Sequence, residues 1–295
     1  MTPYDVDLVA AMKDALATGQ FVLHYQPEVD LASGEVVAME ALLRWQHPDR
    51  GLLWPAEFLP AAEASGFIVE LGAWVVEECV REAALWQRLP SARRAAGKQL
   101  WLNVSAAQLA VPSFADTVAA AVRRAGLPPG TLGFEIRETA LGADLASLTG
   151  VLTALRGAGV MIALDDFGTW YSALSHLDEL PLDAVKLDQR FVRGVGLDLE
   201  DDAIVASVIR LAHAHGLQVV AEGVESWSEG ARLCELECDR AHGYLFAGPQ
   251  APERARWLLS RGVGWRAPDA PESLVVPETR RSPDMGALGP VNDPL

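Results

Sequence analysis

Cysteine, basic charge and long uncharged apolar runs are all scarce in this chain of 295 residues. Cysteine occurs three times, at Cys79, Cys234 and Cys238. An odd, low count supplies no disulfide framework and fits a reduced, cytoplasmic setting. Lys and Arg total 24 against 40 Asp and Glu, a net charge of −16. So acidic a surface lacks the basic patches that displace counterions, which argues against long nucleic acids as partners. A small phosphorylated ligand stays open, because a bound divalent cation reverses the local field. The most apolar helical stretch, Ala203–Ala212, is interrupted by Arg210, so neither a transmembrane span nor a membrane partner is expected. The first residues carry Asp5 and Asp7 without an apolar run, and no signal peptide is expected there.

Apolar residues make up 50% of the chain, enough for a sizeable core. Short apolar runs read as buried parallel strands at Phe21–Tyr25, Val36–Glu40, Leu100–Val104, Leu132–Ile136, Val160–Leu164, Ala184–Leu187, Leu217–Ala221 and Gly243–Phe246. Amphipathic stretches between them predict helices over Phe67–Trp86, Phe114–Ala125, Asp144–Ala158, Asp201–His215 and Ser228–Leu236. This alternation fits an α/β fold, a (β/α)8 TIM-like barrel. An open doubly wound sheet fits it too, but no G-x-G-x-x-G opens a helix after a strand to support that version. Residues 1–263 read as one domain. From residue 264 the chain carries six of its 18 prolines and no period, which predicts a disordered Pro-rich tail over 264–295.

Nearly every strand-like run ends in a polar residue. The ends are Glu40, Asn103, Glu135 with Glu138 just beyond, Asp165 and Asp166, Lys186, and Glu222 followed by Glu225. In a parallel barrel the C-terminal strand ends share one rim, where barrel active sites sit. The spacing therefore predicts a ring of carboxylates, one amide and one lysine. So many carboxylates repel one another unless cations sit among them. Oxygen ligands suit Mg²⁺ or Mn²⁺, and the adjacent Asp165-Asp166 pair reads as a bridge between two ions. Such a pair of ions serves hydrolysis of a phosphate ester, with Lys186 orienting water or offsetting phosphoryl charge. The substrate does not follow from these residues.

A resemblance supplies it. Glu40-Ala41-Leu42-Leu43-Arg44-Trp45 is preceded by His24-Tyr25-Gln26-Pro27 and followed by Pro55-Ala56-Glu57-Phe58-Leu59-Pro60. Asn103-Val104-Ser105, Glu135-Ile136-Arg137-Glu138, Asp165-Asp166-Phe167-Gly168-Thr169, Val185-Lys186-Leu187-Asp188, Ala221-Glu222-Gly223-Val224-Glu225 and Gly243-Tyr244 complete the series. In this order, over about residues 5–262, the set resembles the EAL-domain family of cyclic-di-GMP-specific phosphodiesterases. The resemblance implies a barrel with one antiparallel strand and hydrolysis of cyclic di-GMP to linear pGpG. It implies Glu40, Asn103, Glu135 and Asp165 as ligands of one ion, with Asp165 and Asp166 serving a second. Lys186 and Glu222 correspond to residues beside the attacking water, Glu222 as general base, and Glu138 to the glutamate that holds the loop after Asp166. Gln26 and Arg44 match positions that touch substrate, where guanidinium suits phosphate.

His242 stands in place of the glutamine that usually precedes Gly-Tyr and faces the same site. Arg137 stands for a usual Thr, Trp170 for a Gly, Ala173 for a Ser, and Glu229 for a frequent Gln. These departures keep open a competing reading, a weak or inactive member acting as a cyclic-di-GMP receptor or protein-interaction module. The resemblance also implies a homodimer, with regulation from a separate sensory partner or a longer parent chain. Cys234, Cys238 and His242 are four apart but lack a fourth ligand for a soft-metal site.

Overall fold

The structure, a computed structural model, describes residues 3–88, 97–141, 145–167, 177–261 and 265. Strands β1 (Phe21–Asp30), β2 (Val36–His47), β3 (Gly51–Leu53), β4 (Gln99–Asn103), β5 (Leu132–Arg137), β6 (Met161–Phe167), β7 (Ala184–Leu187), β8 (Gln218–Ala221) and β9 (Arg240–His242) form one sheet in the order β1-β9-β8-β7-β6-β5-β4-β2-β3. A further pairing of β1 with β2 closes eight of them into a barrel. β2, β4, β5, β6, β7, β8 and β9 run parallel, whereas β1 is antiparallel to both its neighbours, β2 and β9. β3 pairs antiparallel with the outer half of β2 and stands outside the closed ring.

The helices are α1 (Pro3–Thr18), α2 (Leu59–Ser65), α3 (Ile68–Trp86), α4 (Ala106–Leu109), α5 (Phe114–Ala125), α6 (Leu145–Gly157), α7 (Gln189–Val192), α8 (Leu199–Ala214), α9 (Trp227–Glu235) and α10 (Pro252–Arg261). Each helix expected from the periodicity is present. α1, α2, α4, α7, α10 and β3 were not anticipated, and β1 and β2 run well past the apolar runs that predicted them. Their polar stretches qualify as strand because the two pair with each other along almost their whole length, Phe21 opposite Trp45 through Val29 opposite Val36.

The last strand corrects the expectation at Gly243–Phe246. It lies at Arg240–His242, and Gly243 begins a turn. Gly243 adopts φ 153°, and a Cβ there would stand 2.2 Å from the Val224 carbonyl oxygen. Only glycine lets the backbone after β9 lie this close to the loop after β8. Trp265, inside the expected tail, donates its N–H to the Gly34 carbonyl at 2.7 Å and sets its ring edge-on to Phe246. The rest of that tail, residues 264 and 266–295, lies outside the described residues.

Alternation along each strand sorts the inward side chains into levels. The lowest holds Glu28, Gln99, Met161 and Arg240. The middle level packs Trp101 among Ala38, Ala163 and Ala184. Gly133 belongs there too, since a Cβ on it would meet the Trp101 ring at 2.2 Å. One indole thus fills the barrel axis, and small residues on the facing strands make room for it. The top level carries the polar strand ends. Outside, α10 is clamped to α3 by Arg256, which makes two 2.7 Å bonds to the buried Glu82 carboxylate, and Trp86 donates to the same carboxylate at 2.8 Å. Among the described residues no single helix is long and apolar enough to cross a membrane.

Candidate active site

The top level collects residues from every barrel strand. Register places Gln26 opposite Glu40, Glu40 beside Trp101, Asn103 beside Glu135 and Arg137 beside Asp165. Lys186 sits at the centre, 2% exposed. Its ammonium lies 2.7 Å from Glu222 Oε1, 2.9 Å from Glu135 Oε1 and 3.2 Å from Glu40 Oε2. Asn103 Nδ2 donates to Glu40 Oε1 at 2.9 Å. His242 Nε2 is 3.0 Å from Glu222 Oε1 and 3.8 Å from Glu40 Oε2.

Asp165 and Asp166 are consecutive, so a regular strand would send their side chains to opposite faces. The structure avoids this. The β6–β7 ladder breaks register between Leu164 and Phe167, and Asp166 takes φ 57° in the left-handed region, which Asp tolerates better than most residues. The Asp166 N–H also donates to Asp165 Oδ1 at 2.9 Å. Oxygens of Asp165, Asp166 and Glu222 consequently lie within 4.8 Å of one another, as do ligand atoms of Glu40, Glu222 and His242. Bulges of this kind re-aim side chains at sites.

One ammonium cannot neutralise five carboxylates, and the carboxylates divide accordingly. Burial pushes Glu40 and Glu222 up, but Lys186 and His242 outweigh it and hold both below the usual range. Burial and the charge of Glu40 drive Glu135 well above it, against the pull of Lys186. Burial and Glu222 do the same to Asp165, and Asp166 is raised for the same two reasons. Lys186 resists burial because Glu135, Glu222 and Glu40 hold its proton, so it stays charged.

Without further cations Glu135 and Asp165 therefore resist ionisation. Glu135, 1% exposed, has no hydrogen-bond partner for Oε2 among the described residues. A buried carboxylate oxygen without a partner, among other oxygens at close range, is what a hard divalent ion would complete. The residues present fit such ions.

A family model described as the EAL domain matches residues 9–249. The chain belongs to the EAL domain family. An uncharacterized protein of Mycobacterium tuberculosis is 41% identical over 254 residues, 86% of this chain and 40% of that one. The bifunctional diguanylate cyclase/cyclic di-GMP phosphodiesterase MucR of Pseudomonas aeruginosa is 38% identical over 252 residues, 84% of this chain and 36% of that one. The chain thus spans well under half the length of these curated relatives. Among solved structures, the PaMucR phosphodiesterase in complex with c-di-GMP superposes with a TM-score of 0.78 at 37% identity, covering 84% of this EAL chain and 99% of that one.

The remaining sequence candidates fall around the ring. Gln26 lies on β1 and donates to the Ala247 carbonyl at 3.3 Å. Arg44, on the Glu40 face of β2 four residues further out, is buried, donates to the Leu43 carbonyl at 2.8 Å and stacks on Trp54. Glu138 opens a 3₁₀ turn just past β5 and is buried. Trp170 and Ala173 lie outside the described residues. Glu229 closes a capping box on α9, accepting from the Ser226 N–H at 3.0 Å and the Glu225 N–H at 2.8 Å. Glu225 is exposed, its carboxylate accepting from Gln189 at 3.3 Å. Cys238 is buried and bonds backbone carbonyls through its thiol, and Cys234 is exposed.

Two features of the site were not legible in the sequence. Arg137 Nε stands 3.8 Å from Asp166 Oδ2, an ion pair between neighbouring strand ends. A cavity of about 370 Å³ opens beside the ring, lined by Leu42, Pro55, Leu71, Val75, Asn103 and Arg137 among others. Its walls come from β2, α3 and the segments following β4 and β5, which only the fold brings together. The Pro55 motif was the signal nearest to it.

Proposed function

We propose that this chain hydrolyses cyclic di-GMP to linear 5'-pGpG with the help of two divalent ions, Mg²⁺ or Mn²⁺. Such ions would polarise the phosphodiester and activate water. In this reading Glu40, Asn103, Glu135 and Asp165 hold one ion, and Asp165 with Asp166 holds the other. Glu222 takes the proton of the attacking water. Lys186 and His242 keep its carboxylate ionised and so able to accept a proton, while the same two groups lower its basicity. Lys186 offsets charge on the phosphoryl oxygens, Gln26 and Arg44 contact the ligand, and Glu138 steadies the loop after Asp166.

The observation that carries the reading is the buried Lys186 ammonium set among Glu40, Glu135 and Glu222 at 2.7–3.2 Å, with Glu135 Oε2 lacking a hydrogen-bond partner among the described residues. The names of MucR and of the PaMucR complex support the choice of substrate. The greater length of the relatives supports a sensory or regulatory input from another segment or partner. A cytoplasmic homodimer completes the proposal.

Purified protein given cyclic di-GMP and Mg²⁺ or Mn²⁺ should release pGpG, and Glu40→Ala should lower the rate by about 100-fold or more. Wild-type release no faster than that of Glu40→Ala would overturn the reading. A second reading, a receptor that binds without cleaving, is favoured by the 3.0 Å contact that ties His242 to Glu222. Under it the wild type binds cyclic di-GMP without product, and His242→Gln restores turnover.

A further inference from the structure

We propose that Trp54 is the platform on which one guanine of the bound cyclic dinucleotide stacks, making it a determinant of ligand affinity; this rests on the substrate reading above. Trp45, Trp86 and Trp101 are fully buried, whereas Trp54 keeps 40% of its surface exposed. It follows β3 immediately. Leu53 pairs with Trp45, so Trp54 stands level with Arg44 on β2, and the Arg44 guanidinium lies over its ring, 3.9 Å from the centroid. Arg44 shares the inward face of Glu40 four residues away, about 13 Å along the strand. Alongside this stretch of β2 lies the cavity lined by Leu42, Pro55 and Asn103. It touches the carboxylate ring at Asn103 and reaches Pro55, the neighbour of Trp54.

The ring is also held in place before any ligand arrives. Trp54 precedes a proline and is extended, at φ −90° and ψ 156°, as that position requires. Its N–H donates to Glu57 Oε2 at 2.8 Å, and Glu57 Oε1 accepts from Arg50 at 2.9 Å. A large aromatic pinned at its backbone, with a cation over the ring and much of its surface in water, is costly to leave exposed and suited to stacking a purine. Trp and Arg planes serve unstacked bases in this way.

Calorimetric titration of cyclic di-GMP into the wild type, Trp54→Ala and Trp54→Phe tests it, with thermal melts of each protein. Where turnover is present, KM and kcat are measured as well. Trp54→Ala should raise Kd, and KM with it, by about 10-fold or more, with a smaller change in kcat, while Trp54→Phe stays within about 3-fold of the wild type. A Trp54→Ala Kd within twofold of the wild type overturns the inference. So does a Trp54→Phe defect as large as that of Trp54→Ala, since a flat ring should suffice. Wild-type protein that neither binds nor cleaves cyclic di-GMP overturns the substrate reading and this inference together. Wild-type binding with an unmoved Trp54→Ala Kd overturns the inference alone.

Discussion

The two ends of the barrel interior handle buried charge in opposite ways. At the lower end Arg240 meets one carboxylate, Glu28, at 2.8 Å and the Gln99 side-chain oxygen at 2.6 Å. Charges balance, and the amide of Gln99 turns to Met161 Sδ at 2.8 Å. At the upper end five carboxylates share the Lys186 ammonium and one Arg137 ion pair, two of them are driven well above their ordinary range, and Glu135 Oε2 has no hydrogen-bond partner among the described residues. The same strands serve both ends. β4 runs from Gln99 to Asn103, β9 from Arg240 to His242, and β1 from Gln26 down to Glu28. A satisfied pair reads as structure, and an unsatisfied, unbalanced cluster reads as a site waiting for counter-charge.

The largest effect expected from breaking this contrast is at the lower end. Glu28→Ala leaves the Arg240 guanidinium without its carboxylate and should cost about 3–5 kcal/mol of stability, read by denaturant unfolding. Its affinity for divalent ions, measured by titration calorimetry, should change little. A loss below about 1 kcal/mol would show that the lower pair is dispensable.

The upper end should respond with the opposite sign. Glu135→Gln removes a carboxylate that resists ionisation, so the metal-free protein should be as stable as the wild type or about 1 kcal/mol more so. Its affinity for Mg²⁺ or Mn²⁺ should fall at least about 10-fold. Destabilisation of the metal-free form on the scale of Glu28→Ala would erase the distinction between the two ends.

A smaller effect sharpens the comparison through pH. Glu135 and Asp165 have folded values raised above their unfolded ones. Their stabilising contribution is therefore complete below the ordinary carboxylate range of about 4 and is lost as pH climbs toward the folded values. Glu40 and Glu222, held low, contribute the opposite slope only beneath that range. The raised value of Lys186 keeps its contribution well into the alkaline region. Between about pH 5 and 8 the ring should thus lower the Tm of the metal-free protein, against the rise that His24, held low by burial, contributes up to its ordinary value of about 6.5. Saturating Mg²⁺ should flatten the decline by supplying the missing positive charge. A slope unaffected by Mg²⁺ would place its origin outside the ring.

Much of the upper end was legible along the chain. Glu40, Asn103, Glu135, Lys186 and Glu222 each close or directly follow a short apolar run, and a parallel barrel brings such ends to one rim whatever the loops between them do. The lower end was not legible. Glu28 is near the end of a strand too, but β1 is antiparallel to β9, and although Glu28 pairs with His242 in register its carboxylate bonds Arg240 and not the ring. The last strand was also misplaced, because the apolar run Tyr244-Leu245-Phe246 looks like a strand while Gly243 turns the chain against Val224.

The sequence by itself determined the alternation of strands and helices, the acidic residues at strand ends, and family membership through the order of its motifs. Those features are local, written in hydrophobic period and residue identity. The tertiary structure alone decided that Asp165 and Asp166 face the same way, through a register break and a left-handed residue. It also decided that Lys186 stands among glutamates of β2 and β5 and the one just past β8, and that Trp54 meets Arg44. Each of these depends on ladder register and closure between segments far apart in the chain, and no window of neighbouring residues encodes them.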